Sequence, residues 1–323
     1  MKRLFNITTC DYDLARYAGA DDLTRVLREY ALDGLEVLPI GENSLGWIPP
    51  RMVPGIHLTY FNSWLDAYRG DAARVEAEYG SMEEAERQLG GPADGLARRL
   101  RAQLDWCQSI GAQYVVYHVG NITLSETASC RFEHSDEQVV EAALEIINQA
   151  LAGREYGFWF LMENLWGPGY TFTRPEITRA LLEGVRYPRT GIMLDTGHLM
   201  HTDMGIDTPE QGIAYIHRQL DAHGELCARI KGVHLHSGAS GAFLRRLVAD
   251  PPQPVGSYFE RLCALYESVL RLDPHVPLEC PGARELIERI APEYLTYEFI
   301  TSSREQHEQY LARQNAALGV FDR

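Results

Sequence analysis

Gly191-Ile-Met-Leu-Asp195-Thr-Gly-His198 is the stretch that decides how the rest of the chain is read. A short apolar run closes on a carboxylate, and a histidine follows in the turn, so both polar side chains can face the same end of a buried strand. The same grammar recurs outward in both directions. Tyr114-Val-Val-Tyr-His118, Phe158-Trp-Phe-Leu-Met-Glu163, Gly232-Val-His234 and Leu295-Thr-Tyr-Glu298 each end an apolar run on a polar residue. Runs of this kind predict eight strands, at 4–8, 34–38, 55–58, 113–118, 157–163, 191–195, 230–236 and 295–300.

Longer amphipathic stretches between them predict helices, among others over 20–32, 96–110, 135–151, 209–228 and 257–270. Ser135-Asp136-Glu137, ahead of Val139, Val140, Ala143 and Leu144, supplies a capping residue and acids for the positive end of a helix. Gly111 and Gly153 stand where helix-stopping glycines belong. Strand and helix alternate, which predicts an α/β fold with a parallel sheet, and eight such strands close a (β/α)8 barrel. At 323 residues the chain is expected to form one domain over 1–323. Residues 60–95 are too long for a simple connection, and their aromatics (Tyr60, Phe61, Trp64, Tyr68) among charges predict a helical lid inserted after the third strand. Residues 237–254 read as an irregular segment covering the same face, and 302–323 as a C-terminal helix.

Composition narrows the function classes. Hydrophobic residues make up 45% and charged residues 23%, an ordinary globular balance. A formal net charge of -15 repels a phosphate backbone and makes duplex DNA a doubtful partner. Cysteines at 10, 107, 130, 227, 263 and 280 form no CxxC pair or disulfide framework, which fits a reducing compartment. No segment approaches the roughly 20 apolar residues of a membrane span, so the expected location is cytoplasmic.

In a parallel barrel the C-terminal strand ends converge on one mouth, where this fold builds its active sites. His118, Glu163, Asp195, His234 and Glu298 would meet there. Any one of them has an equally ordinary reading as a loop hydrogen-bonding residue. Five together do not, because clustered carboxylates repel one another, whereas a shared divalent cation removes the conflict and uses neutral imidazoles as further ligands. Asp195 with His198, and Asp273-Pro274-His275, add two Asp/His pairs.

In chain order, His57, His118, Glu163, Asp195, His198, His234, Asp273, His275 and Glu298 resemble the nine metal ligands of the endonuclease IV family (AP endonuclease family 2), within the xylose-isomerase-like TIM-barrel superfamily. Ile-His-Leu, Tyr-His-Val-Gly, Met-Glu-Asn, Leu-Asp-Thr-Gly-His, Val-His-Leu-His and Asp-Pro-His stand where that family's strand-end motifs stand. The resemblance implies two or three divalent ions, zinc, manganese or iron. Glu163 would bridge two of them, with His57 and His118 on the first and Asp195, His234 and Glu298 on the second. His198, Asp273 and His275 would hold a third. It also implies catalytic roles for Glu163 and for Glu298, which would orient or deprotonate a water. The chain departs from the pattern in its first strand, which has no histidine motif, and after His234, where the family's Asn-Asp is His236-Ser237.

Around this set, Glu36, His201, His236, Trp166 and Tyr170 are candidates for substrate contact or for support of the ligands, whereas His134, His217, His223 and His307 read as solvated helix residues. The resemblance implies a metal-dependent hydrolase, and the departures together with the net charge of -15 point to a small-molecule or small phosphoester substrate instead of duplex DNA. A sugar isomerase or epimerase of the same superfamily, a multinuclear non-haem iron oxidase, and a binding barrel with a structural metal remain as alternatives.

Overall fold

The computed structural model describes residues 1–320. Eight parallel strands form a closed barrel in chain order: β1 (Lys2–Thr8), β2 (Gly34–Leu38), β3 (Gly55–His57), β4 (Tyr114–His118), β5 (Trp159–Glu163), β6 (Thr190–Asp195), β7 (Ile230–Leu235) and β8 (Tyr294–Tyr297). This is the (β/α)8 TIM barrel that the strand pattern predicts, with β2 at its expected bounds and no strand boundary moved by more than three residues. His236 and Glu298 fall just beyond their strands, in the loops of the mouth.

The strands are almost wholly apolar because a barrel strand is covered on both faces. Leu4, Tyr114, Val116, Leu161, Met193 and Tyr294 fill the interior. Gly55 makes room for one of them, since a β-carbon there would stand 2.2 Å from the Tyr114 ring. Outside, helices such as Leu96–Ser109, Asp136–Leu151, Pro209–His223 and Arg304–Ala317 pack on the strands. Ser135 and Gln138 cap the second of these reciprocally, as Thr208 and Gln211 cap the third. Gly111 and Gly153 both adopt positive φ after their helices.

Register sets the height of the polar strand ends. His118 pairs with Glu163 across β4 and β5, and Asp195 with His234 across β6 and β7. Residues after β3 form three short helices, Leu65–Arg69, Ala72–Tyr79 and Met82–Gln88, and a turn at Ala93–Gly95. They pack against Leu124, Ala128, Tyr258 and Leu265 through Val75, Tyr79 and Ala85.

Three expectations need correction. The segment 237–254 is not irregular throughout, because Gly241–Ala249 is helical and buries Leu244 and Leu247. His223 and His307 are buried rather than solvated. His223 stacks on Phe172 at 3.8 Å, and His307 Nδ1 lies 3.0 Å from the Tyr17 hydroxyl while burial lowers its pKa to about 3. The C-terminal helix is Arg304–Ala317, and the part of that expectation at 321–323 lies outside the described residues.

Candidate metal centre

All nine side chains of the ordered His/Asp/Glu set meet at the barrel mouth, in three adjoining groups whose donor atoms lie within 4.8 Å of one another. The first group is His57, His118 and Glu163, and the second is Glu163, Asp195, His234 and Glu298. The third is His198, Asp273 and His275 together with His236.

The first group is the tightest. His57 Nε2 and His118 Nε2 are 3.0 Å apart and lie 3.2 and 3.1 Å from Glu163 Oε2. Ligands about 2.0–2.1 Å from a tetrahedral zinc stand about 3.3 Å from one another, so this triangle has the right size for a cation. In the second group, His234 Nδ1 is 3.3 Å from Glu163 Oε1, 3.2 Å from Glu298 Oε2 and 3.8 Å from Asp195 Oδ2. In the third, Asp273 reaches His198 Nε2 at 3.2 Å and His275 Nδ1 at 3.1 Å.

Orphaned polar atoms test whether these residues fit a metal. Glu163 Oε1 and Oε2, His234 Nδ1, His236 Nδ1 and Glu298 Oε2 are buried without a well-formed hydrogen bond. Each such atom costs about 1–3 kcal/mol, more when charged. Here they all face common points, so bound cations would satisfy them together, and the donor set fits.

The charges agree. Burial pushes the Glu163 carboxyl up, but the imidazoles of His118 and His234 outweigh it and hold it well below the usual range. Asp273 is likewise held down against burial by His275 and His198. Burial works to discharge His234 and His198, yet the surrounding carboxylates keep both well above the ordinary value. Protons on imidazoles thus take the place a cation would fill.

Supporting contacts fix the donors. Glu36, fully inside the barrel, puts Oε1 2.8 Å from His234 Nε2, turning Nδ1 toward the carboxylates. Its Oε2 accepts from the Tyr114 hydroxyl at 2.6 Å and from Thr296 at 3.0 Å. Asp195 accepts the His198 backbone N–H at 2.6 Å. Buried Asn164 accepts the Asp195 N–H at 2.8 Å and donates to its carbonyl at 3.0 Å. His201 bridges Asp273 Oδ1, at 3.1 Å, to Ser240 Oγ, at 3.2 Å. An antiparallel bridge between Ser237 and Val276 brings the Asp273–His275 loop to the β7 end. His275 has φ 45, and its ring stacks on His236 at 4.0 Å.

Two candidates separate here. Trp166 lines a cavity that also includes His201 and Arg174. Tyr170 does not reach the mouth: the Gly120–Gly169 bridge folds its loop inward, and the side chain is fully buried beside Phe172. The contribution of His236 to a donor group goes beyond a supporting role. Its Nε2 lies 2.9 Å from Asp195 Oδ2 and its Nδ1 4.0 Å from Asp273 Oδ1. The signal was present in the sequence, because His234 and His236 are two apart and share one face of the extended chain. Asn164 was visible only as part of Met-Glu-Asn, and Tyr60, stacked on His118 at 4.3 Å, carried no such signal.

No curated protein matches the chain in sequence. Among solved structures, it is similar to a D-tagatose 3-epimerase-like protein at 14% identity and TM-score 0.50, covering 100% of this chain and 98% of that one. It is also similar to endonuclease IV from Thermus thermophilus at 17% identity and TM-score 0.50, covering 99% and 100%. At identities this low the likeness is one of fold. The family described as xylose isomerase-like TIM barrel matches residues 57–279, well over half of the sequence and all but one of the nine clustered donors. The chain belongs to the xylose isomerase-like TIM barrel family.

Proposed function

We propose that this chain is a multinuclear metal-dependent hydrolase that cleaves a phosphoester in a substrate other than duplex DNA. The observation that carries this reading is the third donor group, His198, His236, Asp273 and His275, set against the two groups that share Glu163. A single-metal site has no use for it. When bound, two or three zinc, manganese or iron ions would supply positive charge that polarises a phosphoryl oxygen and acidifies water. His57, His118 and Glu163 would hold the first, Glu163, Asp195, His234 and Glu298 the second, and the remaining group the third.

The residues' own work follows from their exposure. Glu163 and Asp195 side chains are fully enclosed, whereas Glu298 retains 12% exposure and so can receive a proton from a water at the mouth. The helices over 65–88 would act as the lid that excludes bulk water. The net charge of -15 argues for a small substrate over a nucleic-acid duplex.

A second reading, a sugar isomerase or epimerase, has its own observation. Glu163, Asp195, His234 and Glu298 form a complete four-donor group containing two glutamates, which suits proton removal and return at a carbon beside a carbonyl. Metal analysis of anaerobically purified protein, with Glu163→Gln beside it, tests the multinuclear reading. Wild type is expected to hold more than one equivalent per chain and to cleave phosphoesters. Glu163→Gln should stay folded, lose metal and lose activity, because a neutral amide cannot bridge two cations. Full metal content and activity in the folded variant would refute the reading.

A further inference from the structure

We propose that the cavity beside the candidate metal centre takes a small amphipathic anion, an aryl- or alkyl-bearing carboxylate, phosphate or sulfonate, with its apolar body in the cavity and its charge on Arg99. As a statement of substrate class, this rests on the catalytic reading of the cluster.

The cavity holds about 520 Å³ and is therefore of small-molecule size. His118, a member of the first donor group, forms part of its wall, with the Tyr60 ring stacked on it at 4.3 Å. A ligand in the cavity therefore lies against one member of the cluster. The rest of the lining is largely apolar, including Phe61, Trp64 and Leu100. The polar side chains on it are mostly engaged or at its rim: Arg87 and Gln88 both bond Glu84, and Glu42 and Asn43 are exposed. Gln103, which is buried, already accepts the Thr59 N–H at 3.1 Å and donates to the Thr59 hydroxyl at 3.1 Å. The Trp64 indole N–H is spent on the Gly120 carbonyl at 2.8 Å. A polyhydroxylated body would lose hydrogen bonds to water against these walls and regain few. A flat apolar body loses none.

Arg99 supplies the second element. Its guanidinium donates to two backbone carbonyls, Pro92 at 3.0 Å and Gly91 at 3.4 Å, and its Nε is buried with no partner. Among the described residues no carboxylate forms an ion pair with it, whereas Arg87 on the same lining is paired with Glu84. In a chain of net charge -15, carboxylates are in surplus, so an arginine beside a cavity with no carboxylate in ion-pair contact, and only Asp94 acting on it from farther off, is available to a ligand anion.

Isothermal titration calorimetry on the full chain with two hydrolysis-resistant sulfonates of similar size, naphthalene-2-sulfonate and 6-deoxy-6-sulfoglucose, tests this. The naphthalene is expected to bind at least about tenfold more tightly. Arg99→Gln should weaken it by about tenfold, through loss of a charge-assisted contact. Phe61→Ala, at a partly exposed position, should weaken the naphthalene and leave the sugar sulfonate little changed, with melting temperatures checked for both variants. The same titration on Glu163→Gln should keep the preference, because the cavity does not need the metals. No binding of the naphthalene, equal or tighter binding of the sugar sulfonate, or indifference to both variants would each overturn the proposal. If Glu163→Gln kept metal and activity while the naphthalene preference held, the hydrolase reading would fail and the cavity assignment would stand.

Discussion

Replacing Glu78 by glutamine should stabilise the protein, and only above mildly acidic pH. Glu78 lies on Ala72–Tyr79, where the helices after β3 meet Leu124–Ser129 and Tyr258–Leu272. It is 6% exposed, and its Oε1 accepts the Leu124 N–H at 2.9 Å. Burial pushes its carboxyl from 4.5 up to about 7, with the Leu124 N–H and the Arg261 charge offsetting only part of that. The folded state therefore holds a proton that the unfolded chain releases near pH 4.5, and stability falls as pH rises from there to about 7. At about 1.4 kcal/mol for each pH unit of that gap, the loss is complete at roughly 3 kcal/mol above pH 7. Glutamine keeps an acceptor for Leu124 and has no proton to lose. Urea denaturation of both proteins between about pH 5 and pH 8 isolates the effect, because other titrations cancel in the difference. The variant's advantage should grow from about 1 kcal/mol to about 3 kcal/mol across that range. A difference that does not change with pH, or a wild type more stable than the variant at pH 8, would sink the reasoning.

Further tests concern the cluster. A β-carbon on Gly197 would stand 1.9 Å from His236 Cε1, so Gly197→Ala should cost about 1–3 kcal/mol in urea denaturation, and unchanged stability would contradict the packing. The triple substitution His198→Ala, Asp273→Ala and His275→Ala should remove about one metal equivalent and reduce turnover on the order of a hundredfold or more, and near-normal stoichiometry and rate would reduce the trio to loop residues. Metal uptake should release protons and strengthen as pH rises. Burial lowers the pKa values of His57, His198, His234 and His275, but neighbouring carboxylates hold them above the ordinary value, so a cation must displace protons there. Calorimetric heats identical in buffers of different ionisation enthalpy would contradict that.

The barrel was legible in the sequence because its signals are local. Most strands carry a short apolar run, and Gly191-Ile-Met-Leu-Asp195 shows why: the covered faces demand apolar residues, and in this run polarity returns only where the strand leaves the sheet. The same logic made His118, Glu163, Asp195 and His234 readable as residues of one mouth before any pairing was known. What chain order does not encode is distance between loops. Asp273 and His275 join His198 only because a bridge from Ser237 to Val276 folds their loop onto the β7 end. His236 enters the third group through a close approach that Gly197 alone permits. Tyr170 and His307 look like loop and surface residues in sequence, yet both are enclosed by tertiary packing. The cavity that Arg99 lines is of the same kind, assembled from the loop after β2, the segment after β3, the end of β4 and the helix Asp136–Leu151. Local hydrophobic patterning determines where a strand begins and ends. Which side chains share a point in space depends on register and loop packing, and those are settled only when the whole barrel closes.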